Sequence, residues 1–154
     1  MLTAQSFFDI VVIPNQATLI GNPGDLRHAV NVIASLDDFV GILAHELLKA
    51  GKITLKEEKF RDFLASQSSP YRLLRDMAYS LKHGELTGSK SPLVSKPGNL
   101  AKEEAAFDAI AFGRSFQTEN VIFIEVNDGG GKFAVSDMFE HAILAITDLT
   151  NDLA

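Results

Sequence analysis

Apolar residues recur every three or four positions through most of the first half of the chain, which is the spacing of one buried helix face. The longest such run predicts a helix from Leu26 to about Ala50, with Asp25 as its cap and Gly51 just past its end. Its regular apolar positions are Val30, Ile33, Leu36, Val40, Leu43 and Leu47. We expect this helix to form the centre of the core.

The first apolar run, residues 7–13, fits either a strand or a helix. Its β-branched residues favour a strand, whereas the lack of polar and apolar alternation argues against one. Pro14 disfavours helical geometry at Ile13 and predicts a break or kink there. We predict a short helix for this segment, followed by a turn at residues 22–25.

A shorter pattern predicts a helix from Leu55 to about Ala65, because Thr54 and Glu57 have the spacing of a capping box. Farther along, residues 87–98 are rich in Gly, Ser, Lys and Pro and show no periodicity. We predict an exposed loop there.

Between these two segments, residues 69–84 predict a helix whose two ends are both marked. Ser69 is a natural N-cap, Pro70 suits the first turn, and Gly84 can adopt the left-handed geometry that closes the last turn. At about 100° per residue, the polar side chains fall on one side of the helix and the apolar ones on the other. We call this polar side the polar arc; its members are Arg72, Arg75, Asp76, Tyr79, Ser80, Lys82 and His83.

The last third of the chain mixes strand and helix signals. Residues 106–112 fit either a strand or a short helix, whereas residues 119–135 predict a β-hairpin around the glycine-rich turn at 127–131. Ser136 is the expected cap of a final helix over residues 136–151.

Together these elements predict an α+β fold. The N-terminal two thirds should resemble a helical bundle over about residues 4–84, followed by a small antiparallel β-hairpin or sheet and a C-terminal helix. A length of 154 residues suits one domain, so we predict a single domain over residues 1–154.

Composition narrows the function classes. The formal net charge of −6 provides no overall positive field for nucleic acid, so any RNA contact would depend on a local basic patch. The absence of cysteine excludes disulfides, thiol catalysis and cysteine-ligated zinc. With no signal peptide and no apolar run of membrane-spanning length, we expect a cytoplasmic protein with no membrane partner.

No metal or cofactor site is predicted. The histidines at 28, 45, 83 and 141 include no pair at helical ligand spacing, although Asp137, Glu140 and His141 share a helix face that is typical of a solvated surface. The three glycines at 129–131 precede a strand rather than a helix, so they indicate a turn and not a phosphate loop.

A second polar stripe follows the long helix, where Asn31, Asp38 and His45 recur every seven residues and Arg27 lies one turn before Asn31. Two interpretations remain open. The stripe is a solvent edge or a set of hydrogen-bonding groups for neighbouring loops. Alternatively, it faces the polar arc across a cleft between two helices.

The polar arc differs from an ordinary solvated face, which usually alternates glutamate and lysine. Its mixture of arginine, aspartate, tyrosine and histidine can bind or transform an anionic group. The predicted binding residues are Arg72, Tyr79, Lys82, Arg27 and Asn31; the candidate catalytic residues are His83, Arg75 and Asp76.

The segments Asp25–Leu36, Phe60–Leu64 and Arg75–His83 resemble a group of uncharacterised bacterial proteins. These proteins share a helix motif that runs from arginine–aspartate to lysine–histidine, here Arg75-Asp76 and Lys82-His83. The resemblance covers roughly residues 5–90 and, more loosely, the turn and the final helix. Tyr79 stands where the group's pattern has an asparagine, and the resemblance implies no established activity.

More distantly, Arg75, Asp76 and His83 resemble the motif of HEPN domains, which are helical bundles that act as homodimeric, metal-independent RNases. Seven residues separate Arg75 from His83, against the usual spacing of about four to six, and the β-hairpin is not part of the HEPN core. The resemblance implies that His83 is the general base on a ribose 2′-hydroxyl and that Arg75 steadies the phosphate charge.

Two functional hypotheses follow. The first is a non-catalytic helical binding or interaction module, in which Arg75 and Asp76 pair with neighbouring helices and His83 interacts with the helix dipole. The second is a HEPN-like RNA endonuclease acting as a dimer. The acidic chain and the motif spacing favour the binding module, and the sequence identifies no specific partner.

Overall fold

The computed structural model describes residues 2–86, 92–107 and 117–153. Its helices are α1 (Ala4–Phe7), a π-helical segment (Phe8–Val12), α2 (Ile13–Gly21), α3 (Leu26–Lys49), α4 (Glu57–Gln67), α5 (Ser69–His83) and α6 (Val135–Asn151). Its strands are β1 (Leu100–Phe107), β2 (Gln117–Glu125) and β3 (Lys132–Ala134), and short 3₁₀ turns cover Pro97–Asn99 and Asn127–Gly129. The predicted α+β class is confirmed.

The N-terminal segment is one continuous helix from Ala4 to Gly21, which confirms the helix prediction. Pro14 does not break it. A proline has no N–H to donate and its ring crowds the carbonyl one turn back. The helix widens just before it, where the Ile13 N–H donates to the Phe8 carbonyl. We attribute this π turn to Pro14, because the wider turn relieves the crowding.

The longest helix, α3, forms the centre of the core, as predicted. It packs against the N-terminal helix, α4, α5 and α6. Asp25 caps it by accepting hydrogen bonds from the backbone N–H groups of Arg27 and His28. Its buried apolar residues are Ala29, Val32, Ile33, Leu36, Val40 and Ala44.

The sheet has three antiparallel strands in the order β1-β2-β3. Leu100 is paired with Ile124, and together with Ile122 they bury one face of the sheet in the same core as the helices. The hairpin of β2 and β3 confirms the prediction for 119–135, whereas β1 begins at Leu100, well before the predicted element at 106–112. Residues 108–112 lie outside the described part of the chain.

The prediction of an exposed loop over 87–98 is confirmed for residues 96–98 and is wrong for residues 92–95, which are partly or fully buried; residues 87–91 lie outside the described ranges. Val94 is completely buried. The Asn127 N–H donates to the Leu93 carbonyl, and the Asn127 side chain donates to the Pro92 carbonyl and contacts Ser95. This segment is therefore fixed between α5 and the hairpin turn.

Three predicted helix caps are also wrong. Ser68, not Ser69, caps α5 by accepting a hydrogen bond from the Tyr71 N–H. The α4 helix begins at Glu57 without a side-chain cap, so Thr54 forms no capping box. The last helix begins at Val135, one residue before Ser136.

The turn between α2 and α3 lies against the edge of β2. The Ile122 N–H donates to the Pro23 carbonyl over 3.0 Å. A Cβ atom at Gly24 would lie 2.8 Å from the Asn120 Cβ and 3.0 Å from its carbonyl oxygen. Glycine at this position therefore permits the close approach that joins the helical part to the sheet.

We expect Gly24→Ala to lower the free energy of unfolding by about 1–3 kcal/mol, the usual cost of overpacking against backbone. Urea denaturation with and without the substitution measures the change. Gly98→Ala is the control, because a Cβ atom at Gly98 meets nothing within 4 Å. Equal stability of the two variants would contradict the close-contact explanation.

Candidate functional site

The α5 helix buries its apolar side and divides its polar arc among three surroundings. Leu73, Leu74, Met77 and Ala78 are buried in the core, and so is Ser80. Arg75 and Asp76 turn toward neighbouring segments, whereas Lys82 and His83 reach the exposed C-terminal end. The arc is therefore not a single outward-facing surface.

Arg75 is directed at α4. Its guanidinium lies 2.6 Å from an Asp62 carboxylate oxygen and 5.2 Å from the centre of the Tyr79 ring. Burial by itself lowers the pKa of Arg75, but the hydrogen bonds and charges of Asp62 and Tyr79 together outweigh it and leave the pKa above the usual value. The charge of Arg75 is thus largely committed to contacts within the chain.

Asp76 connects α5 to the segment before β1. Its carboxylate accepts a hydrogen bond from the Leu93 N–H over 2.8 Å and lies 4.0 Å from the Arg72 Nε. Burial raises the pKa of Asp76 above its usual value, against the opposing effects of the Leu93 N–H and of Arg72 and Arg75. The Asp76 carboxylate is therefore engaged in contacts within the chain and does not face an open site where a substrate could bind.

A buried ion cluster joins α3, α4 and α5. The Asp37 side chain is only 3% exposed; it receives the Arg61 guanidinium on one oxygen and the Lys82 ammonium on the other, the latter over 2.9 Å. Arg61 also bonds Glu57 over 2.7 Å. We call these four residues the Asp37 cluster.

The Asp37 cluster keeps both of its cations charged. Burial alone lowers the pKa of Arg61, but Asp37 and Glu57 raise it above the usual value. The hydrogen bond to Asp37 likewise raises the pKa of Lys82, whose side chain is half exposed. Both cations therefore remain paired with carboxylates at neutral pH.

Beside the cluster, a surface cleft of about 310 Å³ opens at the C-terminal end of α5. The His83 and Tyr79 rings lie with their centres 6.2 Å apart, and His83 is exposed. We call this the α5 cleft; its lining residues are Asp37, Glu57, Glu58, Arg61, Tyr79, Lys82 and His83.

Several predicted site residues lie elsewhere. Arg27 and Asn31 are exposed on the first part of α3, and Arg27 precedes Asp37 by ten residues, or about 15 Å along the helix. Asn31, Asp38 and His45 are all exposed, as the solvent-edge interpretation expects. The binding role of Arg27 and Asn31 stays a prediction.

Sequence reasoning missed Asp37, Glu57 and Arg61. Arg61 lies in a helix whose buried side also contains Phe60 and Leu64. An arginine on the apolar side of a helix could have indicated this cluster, because a buried guanidinium requires a carboxylate partner.

The Tyr71 hydroxyl adds a polar group to the interior near the cluster. Tyr71 is buried, and within the described ranges its hydroxyl has no hydrogen-bond partner. Burial raises its pKa above the usual value, although Arg61 acts in the opposite direction. It therefore stays neutral and is not a nucleophile at physiological pH.

Among the described residues, no group of three histidine, aspartate or glutamate side chains could hold a metal ion. None of the described helices has the length and apolar character needed to cross a membrane. Comparisons with protein-family models, curated proteins and solved structures found no match.

We expect Asp37→Asn to lower the free energy of unfolding by about 3–5 kcal/mol, because the buried Arg61 would lose its buried partner and keep only the exposed carboxylate of Glu57. Lys82→Gln should cost about 1 kcal/mol or less, since the Lys82 side chain is half exposed. Chemical denaturation of the two variants tests this order. A larger loss for Lys82→Gln would contradict the assignment of Asp37 as the buried centre.

Asp76→Asn removes the ionisable group of Asp76 but keeps its hydrogen bond, because the amide oxygen can still accept the Leu93 N–H. The folded-state pKa of Asp76 is raised, so its contribution to stability is complete below its unfolded value of about 3.8 and is lost as pH rises through the folded value. The stability of the wild type relative to Asp76→Asn should therefore fall as pH rises across that window. Urea denaturation at several pH values measures it, and the opposite slope would contradict the raised pKa.

Proposed function

We propose that the protein is a non-catalytic binding module and that the α5 cleft is its recognition site. One observation carries this proposal: Arg75 is held by Asp62 and the Tyr79 ring, on the α4 side of α5. An RNase of the HEPN type needs its arginine and histidine at the same phosphate. Here His83 opens onto the cleft, and Arg75 is not among the cleft residues.

The charges of the cleft favour a basic partner. The lining contains three carboxylates, from Asp37, Glu57 and Glu58, against the cations of Arg61 and Lys82. Both cations are already bound to carboxylates, and the chain as a whole carries a net charge of −6. An incoming phosphate would have to compete with these carboxylates, whereas a basic side chain meets the exposed Glu58 without that competition.

The volume of the cleft fits a side chain rather than a folded domain. A space of about 310 Å³ lies at the lower end for small-ligand pockets. We therefore propose that a partner protein inserts an arginine or lysine side chain beside Glu58, Tyr79 and His83. The Tyr79 and His83 rings, which are tilted by 36° to each other, supply aromatic surface for its stem.

A HEPN-like endonuclease is the second candidate, because His83 is exposed beside Lys82 at a concave surface. In that case His83 would take the proton of a ribose 2′-hydroxyl, and a nearby cation would stabilise the phosphate. This function requires Arg75 to leave Asp62 when RNA binds.

Incubation of the protein with single-stranded RNA, without added metal, separates the two candidates. We expect no cleavage above background by the wild type, and the same result with His83→Ala. Cleavage that is abolished by His83→Ala would overturn the binding-module proposal and support the endonuclease.

Binding is tested by titrating ¹⁵N-labelled protein with an acetylated tri-arginine peptide. We expect shift changes at Glu58, Tyr79 and His83, and an affinity loss of about two- to fivefold in Glu58→Gln, which corresponds to ~0.5–1 kcal/mol for one exposed charge pair. Glu140→Gln on α6 is the control, since Glu140 is also exposed and lies outside the cleft. Shift changes that follow a tri-glutamate peptide instead would contradict the preference for a basic group.

A further inference from the structure

A second concave surface lies beside the Asp37 cluster, between α3 and the start of the N-terminal helix. This groove has a volume of about 610 Å³ and is larger than the α5 cleft. Its apolar lining residues are Leu2, Phe7 and Ile42, and Leu2 is 51% exposed. Its polar lining residues include Asp38, His45 and Glu46. We call this surface the α3 groove.

The two sides of the α3 groove are bonded to each other. The Glu46 carboxylate on α3 accepts the Ala4 N–H over 2.9 Å and so holds the start of α1 against α3. On α3 itself, the lining residues Asp38, Gly41 and Ile42 have the spacing of one helix side. The groove is therefore formed before a partner binds, which lowers the entropy cost of binding.

The α3 groove and the α5 cleft share one wall, which is the ion pair of Arg61 and Glu57. A Cβ atom at Gly41 would lie 2.7 Å from the Arg61 Nη2 and 3.0 Å from the Glu57 Oε1. Glycine at this position thus lets the pair lie directly against the α3 backbone. The two cavities are neighbours on either side of this pair, so one extended segment can reach both.

The charges around the α3 groove favour a basic partner. Among the described lining residues, the carboxylates are those of Asp38, Glu46 and Glu57. The guanidinium of Arg61 is already bonded to Asp37 and Glu57. A nucleic acid or an anionic membrane would add negative charge here and is disfavoured. A partner segment with a basic and an apolar side chain matches both the carboxylates and the apolar lining.

The distance along α3 sets the spacing of the partner's side chains. Asp37 lines the α5 cleft, and Ile42 lines the α3 groove five residues farther on, which is about 7.5 Å along the helix axis. An extended peptide rises about 3.3 Å per residue and points every second side chain the same way. Two side chains separated by one residue are thus about 6.6 Å apart and can enter the two cavities together.

We infer that the α5 cleft and the α3 groove form one recognition surface for an extended segment of a partner protein. This segment has a basic residue, one residue of any type and then a large apolar residue. The basic side chain enters the α5 cleft beside Glu58, and the apolar side chain covers Phe7 and Ile42. The inference rests on the proposed binding of a basic side chain in the α5 cleft and adds the apolar residue and its spacing.

Three peptides with blocked ends test the inference by titration of ¹⁵N-labelled protein: Gly-Arg-Gly-Leu-Gly, Gly-Arg-Gly-Ala-Gly and Gly-Arg-Leu-Gly-Gly. We expect the first to bind about five- to tenfold more tightly than the second, because leucine buries apolar area that alanine lacks. The third has the composition of the first but the wrong spacing, so its affinity should be close to that of the second. Shift changes at Phe7 and Ile42 should be largest with the first peptide.

Ile42→Ala tests the groove from the side of the protein. The readout is the ratio of the affinities for the leucine and alanine peptides of equal spacing, which cancels effects on the shared arginine. We expect this ratio to fall to about twofold or less, because the variant removes apolar lining. Leu144→Ala is the matched control and should keep the ratio, since Leu144 is 63% exposed on α6 and lies outside both cavities. Leu2→Ala, at an exposed position before α1, replaces Ile42→Ala if that variant does not fold.

The possible results separate this inference from the binding-module proposal. Equal affinity for the leucine and alanine peptides, or for the two leucine peptides, would overturn the inference alone. An absence of binding by these peptides and by the tri-arginine peptide would overturn both. Concentration-dependent shift changes at Phe7 and Ile42 in the protein alone would assign the α3 groove to a second copy of the chain and would also overturn the inference.

Discussion

A single buried carboxylate, that of Asp37, connects the three helices that define the candidate site. It lies on α3 and receives one cation from α4 and another from α5. A charge in the interior is costly unless it is paired, so any sliding or rotation of these helices that separates Asp37 from Arg61 is strongly disfavoured. Apolar contacts are less directional and tolerate such shifts more easily. We infer that the apolar core drives association of the helices, while the Asp37 cluster selects one arrangement among them.

The same arrangement determines which polar groups reach solvent. Arg75 and Asp76 serve as links to α4 and to the segment before β1, and Arg61 is enclosed by carboxylates. What remains for recognition is the C-terminal end of α5, where Lys82 and His83 are exposed. The binding proposal thus follows from the way the helices are held together, because the contacts that stabilise the bundle also occupy most of the charges that could act on a ligand.

The sequence was informative where local pattern decides structure. Helical periodicity predicted the helices, and the β-branched run before a glycine-rich turn predicted the hairpin. The sequence did not predict the features that depend on contacts between residues far apart in the chain. β1 contains Ala-Lys-Glu-Glu-Ala at 101–105 and has weak strand propensity, so its conformation depends on pairing with β2. Asp37 meets Arg61 and Lys82 across 24 and 45 residues, and no local periodicity reports contacts of that separation.

The π turn at Phe8–Val12 sets the rotational phase of the whole N-terminal helix. In a regular α-helix each residue turns the chain by about 100°, so the extra residue in the wider turn changes which side the two ends present. Before the turn, the Ala4 N–H is bonded to Glu46 of α3; after it, Leu19 is buried and the Gln16 amide bonds the Ser136 carbonyl. A helix without that residue could seat only one of its ends on the core. The π turn therefore lets each half of this helix present its own buried side to the core. Deleting one residue here would rotate one half relative to the other, which matters more than the small loss of length.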